Sequence, residues 1–186
     1  MRVNSKVFCL IVCSCFWENS MFNQDEKVVY PGHGVAYIHR ILDRRIGGSV
    51  TKFYELKFVN KDMTILVPID NVMSIGIREL SSQKDIGNLL KMFADPVRPR
   101  NNEMIPNWNK RNKEYQGKIR SGKLRSICEI YRDLKHIEQQ KELSFGEKNL
   151  LHQTESLLVE EISLVCDMCL ENAIAQLRNL VKSKQA

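Results

Sequence analysis

Between residues 22 and 78 the apolar positions fall in short runs, each cut off by turn-forming residues. Lys27-Val28-Val29-Tyr30 runs into Pro31-Gly32-His33-Gly34, and residues 35–42 form a second run that ends before Gly47-Gly48. In residues 52–59, Phe53, Glu55 and Lys57 alternate with Tyr54, Leu56 and Phe58. That two-residue period is a strand's. Asn60-Lys61-Asp62 marks the next turn. Residues 63–67 predict a further strand stopped by Pro68, and residues 73–77 a last short one around Gly76.

Beyond residue 80 the period changes to that of a helix. Ser81-Ser82 opens a first helix in which Ile86, Leu89, Leu90 and Phe93 share one face, and Asp95-Pro96 stops it. Residues 96–106 read as a linker of prolines, asparagines and arginines. A second helix is expected from about Asn107, a suitable N-cap, to Arg120. Ser121-Gly122 ends it, and Leu124, Ile127, Cys128, Tyr131 and Leu134 line the third. Ser144-Phe145-Gly146-Glu147 has capping-box spacing. It opens a long last helix whose apolar face is expected to continue unbroken from Leu150 to Leu180. The pattern therefore predicts an α+β chain: an SH3/Tudor-like antiparallel β-barrel over residues 21–80, then an all-helical domain over 81–186.

Residues 1–20 stand apart. An apolar run of about eleven residues follows Arg2 and Lys6, too short for a bilayer-spanning helix, which needs about 20. It reads either as a signal-like extension or as a mis-assigned start ahead of Met21. The second reading is favoured, because a basic patch suited to nucleic acid has little use outside the cell.

Charge separates the two halves. The chain carries +6 overall, yet residues 21–80 are nearly neutral. Residues 98–135 hold eleven Lys and Arg against four Asp and Glu, and residues 136–186 carry a net −3. One basic patch backed by an acidic tail points to an acidic partner for the patch alone. Three of the six cysteines lie in the first fifteen residues, which leaves the body no disulfide framework and fits a reducing cytoplasm.

The patch contains its own candidate chemistry. Trp108 stands at the start of the second helix, followed by Lys110, Arg111 and Lys113, then Lys118, Arg120, Lys123 and Arg125. An aromatic wedge beside a row of phosphate-gripping cations suits DNA: the wedge unstacks a base step and the cations hold the backbone. The bland alternatives are a core tryptophan and a solvated charged face. Cys166-Asp167-Met168-Cys169 is a single CxxC without the second pair a zinc site needs, so packing is favoured over metal or redox chemistry. His33 sits in a turn, and His39, His136 and His152 are scattered. No phosphate-binding loop, nucleophile elbow or zinc-protease motif is present, so neither enzymatic activity nor a cofactor or metal is expected.

Several stretches together resemble the CarD/CdnL family of bacterial transcription regulators. In the first half these are Lys27 to Val35 in KVVYPGHGV, Met63-Thr64-Ile65-Leu66-Val67-Pro68, and Ile75-Gly76-Ile77-Arg78. In the second they are Trp108-Asn109-Lys110-Arg111, Lys118-Ile119-Arg120-Ser121-Gly122, Glu129-Ile130-Tyr131-Arg132-Asp133-Leu134 and Leu143-Ser144-Phe145-Gly146-Glu147. The first module is shared with transcription-repair coupling factors, whose helicase motifs are absent here.

The resemblance implies that the Tudor-like module binds the β subunit of RNA polymerase through a strand edge, with Arg44 in the loop before Gly47-Gly48 and Met63, Thr64, Ile65 and Leu66 at the contact. Some members have arginine where this chain has Leu66. It also implies that the helical domain, as a monomer in the cytoplasm near the nucleoid, contacts promoter DNA at the upstream edge of the bubble through Trp108. A general nucleic-acid-binding adaptor, with a Tudor/SH3-like module reading another peptide, is the second expectation.

Overall fold

The computed structural model describes residues 21–94 and 108–182. Five antiparallel strands make one open sheet in the order β4-β3-β2-β1-β5: β1 Lys27–Tyr30, β2 Gly34–Ile46, β3 Ser49–Phe58, β4 Thr64–Pro68 and β5 Arg78–Glu79. β2 and β3 are longer than the hydrophobic runs predicted. Their pairing continues through polar residues to Ile46 opposite Ser49, with a register shift between Ile38 and Arg40. The two-residue loop is Gly47-Gly48, at φ 59° and 86°. Two successive left-handed residues match the right-handed twist of a hairpin and favour glycine at both. The inner face buries Phe22, Val28, Ala36, Ile38, Tyr54, Leu56, Phe58, Val67, Val72 and Ile77.

The strand expected at residues 73–77 is not there. After β4 a 3-10 turn, Ile69–Asn71, leads into a one-turn helix, α1, Val72–Ile75, and the last strand is Arg78–Glu79. Gly76 ends α1 in the left-handed region at φ 84°. The six apolar or small residues 72–77, between Asn71 and Arg78, fit a strand or a helical turn equally well by period. Here Pro68 ends the ladder, and burial of Val72 and Ile77 decides the outcome.

Helices α2 Gln83–Ala94, α3 Trp108–Arg120, α4 Leu124–Gln140, α5 Phe145–Val165 and α6 Leu170–Lys182 share a second core. Ser82 accepts from the Asp85 amide at 3.1 Å and so caps α2. The capping box of α5 forms as the spacing predicts: Ser144 Oγ accepts from the Glu147 amide, and Glu147 Oε2 accepts from the Ser144 amide at 2.9 Å.

The expected unbroken last helix is two helices. Met168 N donates to Ser163 O at 3.0 Å, and Asp167 adopts φ 51°. That is a Schellman stop with aspartate in the place glycine usually takes. Cys166 and Cys169 therefore flank a turn rather than lying deep in a helix.

Residues 96–106, read from the sequence as a linker, lie outside the described residues. Ile86, Leu89 and Phe93 of α2, before that segment, belong to the same core as α3 to α6. The modules are joined directly. Arg78 of β5 donates from Nη1 and Nη2 to the two oxygens of Glu161 in α5, at 2.7 and 2.9 Å. Its Nε donates to Gly122 O at 2.9 Å, and the amide and hydroxyl of Ser81 complete the Glu161 carboxylate. Pro31 lies against Gly122, where an added Cβ would come within 3.0 Å of the ring. The 31–34 turn is thus part of the junction; within it His33 donates its amide to Tyr30 O and sets its ring edge-on to Tyr30.

Candidate nucleic-acid interface and docking edge

β4 forms one margin of the sheet. It pairs with β3, Glu55 opposite Leu66 and Lys57 opposite Thr64, and among the described residues no strand pairs with its other side. Backbone groups on such an edge can extend the sheet onto another chain. Val67 is buried, Thr64 is exposed, and Met63, Ile65 and Leu66 are half-buried. Met63 and Ile65 are also packed against the sheet's core, which leaves Thr64 and Leu66 as the freer pair.

Arg44 does not lie in a loop. It is in β2, opposite Thr51, and exposed near the hairpin tip. Beside it stand Ile46 and Val50, 57% and 60% exposed, which the sequence reading passed over. Their position next to Gly47-Gly48, beyond the alternating run, was the available signal.

In the helical module Trp108, Arg111, Tyr115 and Ile119 recur at three and four residues and form the inward face of α3. This corrects one expected phosphate contact. Arg111 is 4% exposed and ion-paired to Glu147, itself buried, so it cannot grip DNA from the surface. The spacing from Trp108 to Ile119 could have shown this; the run of neighbouring cations masked it. The Arg111 guanidinium also lies 5.7 Å from the Trp108 ring centroid, a cation–π distance.

Trp108 itself is half-buried and packs against the helical core. Its indole covers Gly146, where an added Cβ would sit 2.9 Å from Cζ2. Only glycine leaves that space. One chain of contacts therefore runs from Trp108 through Arg111 and Glu147 to the Ser144 cap. Burial pushes the Glu147 carboxyl up, but the Ser144 amide and hydroxyl, with Lys141 and Arg111, outweigh it and hold the group below the usual carboxylate range.

The other expected phosphate contacts are on the surface. Lys110, Lys113 and Arg120 are exposed on the side of α3 away from its buried face, and Lys123 and Arg125 are exposed at the start of α4. Lys118 is half-buried and paired with Glu129 at 3.2 Å and Glu114 at 3.8 Å, which makes it the least available of the row. Asn107 lies outside the described residues, as do residues 1–20 with Trp17.

No group of His, Cys, Asp and Glu among the described residues is placed to hold a metal. No described helix is long and apolar enough to cross a membrane. Cys128 is buried, which pushes its thiol up to about 12 and keeps it protonated.

Comparison with known proteins follows the same division. The CarD-like/TRCF RID domain matches residues 22–81, and the CarD C-terminal domain matches residues 91–178. The chain is also similar to "Putative transcription factor YdeB" of Bacillus subtilis (strain 168), 25% identical over 145 residues that cover 78% of this chain and 92% of that protein. With the open-edged sheet and the helical module each matched, in that order and over most of its length, the chain belongs to the CarD family.

Proposed function

We propose that this protein is a non-enzymatic transcription regulator that docks on RNA polymerase and stabilises the opened promoter. The sheet module holds the polymerase β subunit by adding its chain to the free edge of β4. Thr64 and Leu66 meet the partner there, with Met63 and Ile65 behind them and Arg44 at the hairpin tip. The helical module lays Lys110, Lys113, Arg120, Lys123 and Arg125 along the phosphates at the upstream edge of the bubble. Trp108, braced by Arg111 and Glu147, meets the base step there.

The observation that carries this reading is the Arg78–Glu161 junction. It connects a sheet with a free edge to a helical body with a basic surface, so one molecule can hold both the enzyme and its DNA. Contacts available only when the duplex is opened shift the closed-to-open equilibrium by their differential affinity. A preference of about 1.4 kcal/mol is a tenfold change in the open fraction.

The test is reconstitution from purified polymerase and a fork-junction promoter. The wild-type chain forms a ternary complex, and Arg44→Glu weakens polymerase binding while free-DNA affinity is kept. Equal binding of both proteins to polymerase would remove Arg44 from the docking surface. DNA binding without any polymerase association would favour a general nucleic-acid adaptor instead.

A further inference from the structure

Phe145 is the first residue of α5 and is 81% exposed, more than any other large hydrophobic side chain among the described residues. A lone apolar residue at the surface is ordinary. This one is not alone. The next residue is Gly146, the α-carbon that the Trp108 indole covers. Lys141, exposed, precedes it in sequence, and Lys148, also exposed, follows it and is paired with the exposed Glu142 at 2.8 Å. Among the described residues no aromatic ring stacks on Phe145.

The turn that carries the ring is already fixed. Ser144 and Glu147 hydrogen-bond to each other's amides, and Glu147 is further held by Arg111. A residue on a locked turn loses little freedom on binding, which favours a contact role. Trp108 is half-buried and packs against the core, whereas Phe145 offers its ring to solvent. A flat, apolar ring that no described aromatic stacks on, one residue from the glycine that the indole covers and with Lys141 close by in sequence, matches a nucleobase that has left its stack. Its face is apolar and its phosphate is anionic, and an aromatic side chain stacks on any base without reading its sequence.

We propose that Phe145 stacks on an unpaired nucleobase at the edge of the opened DNA, as a second aromatic contact beside Trp108. The proposal rests on the promoter-DNA role above and adds a residue to it.

The experiment uses the full chain and a fork-junction DNA with 2-aminopurine as its first unpaired base, next to a fully paired duplex of equal length. Affinity and 2-aminopurine quenching are measured for the wild type and for Phe145→Ala, Phe145→Tyr and Trp108→Ala. Circular dichroism checks that each variant is folded. Phe145→Ala is expected to bind the fork about 10-fold more weakly, as for the loss of one base stack, to bind the duplex as before and to lose the quenching. Phe145→Tyr is expected to keep both.

Wild-type quenching and affinity in Phe145→Ala, with a loss in Trp108→Ala, would overturn the role of Phe145 and leave the parent reading intact. Absence of any fork preference in the wild type would overturn both. Weaker polymerase binding by Phe145→Ala with unchanged DNA affinity would assign the ring to a protein contact and overturn the proposal.

Discussion

At Arg111 a guanidinium that charge patterning would place in solvent is 4% exposed, between the Trp108 ring and the Glu147 carboxylate. Removing one partner of such a pair leaves a buried charge uncompensated, typically at a cost of about 3–5 kcal/mol. Glu147→Gln is expected to fall in that range in chemical denaturation at pH 7, because the neutral amide cannot balance Arg111. The pH dependence has a definite sign. The folded-state carboxyl of Glu147 is held below its ordinary value, so its stabilisation is present above about 4.5, the unfolded value, and is lost as pH falls through the folded one. The wild-type stability should therefore drop more steeply than that of Glu147→Gln below pH 4.5. Parallel curves would show that the pair does not couple to folding. Glu160 runs the other way. Burial beside the 31–34 turn raises its pKa, so holding its carboxyl ionised opposes folding.

Among the elements, those defined by strong periodicity and by turn residues were readable in advance. β1 and the capped start of α5 are where alternation, glycine pairs and the Ser-to-Glu spacing place them. α1 was not, since residues 72–75 are too few to display a period. Nor was the stop between α5 and α6, because apolar spacing continues across it and the left-handed residue is Asp167. Burial of Arg111 was hidden for a different reason: hydrophobic-face arguments set charged residues aside. Exposure of Phe145 had no signal of its own, since the apolar face of its helix begins only at Leu150. α3 and the start of α4 together present five exposed cations, Lys110, Lys113, Arg120, Lys123 and Arg125. If four of them meet phosphates, log affinity for duplex DNA should fall against log salt with a slope of about −3.6. The slope should flatten by about 0.9 for each one replaced by alanine, and Lys118→Ala should change it least. A salt-independent affinity would remove DNA from the account of this surface.

For the whole molecule, the decisive feature is how the two modules are held together. The Arg78 side chain is 27% exposed and that of Glu161 3%, so the pair is shielded mainly on the Glu161 side. Arg78→Ala strands Glu161 with Ser81 alone and should cost about 3 kcal/mol, the low end for breaking a buried pair. Arg78→Lys should recover little, since an ammonium cannot make the bidentate contact. With the junction weakened, polymerase binding and DNA binding should each survive in isolation while their cooperation declines. Unchanged cooperation in Arg78→Ala would mean that this contact does not set the relation between the modules.

The most direct measurement of the central claim is the lifetime of the open promoter complex after a competitor challenge, with wild type and Trp108→Ala compared at saturating concentrations. Trp108→Ala is expected to shorten that lifetime, with the affinity for polymerase alone unaltered. Equal lifetimes at equal occupancy would contradict it, because the indole would then be only a packing residue between α3 and the start of α5.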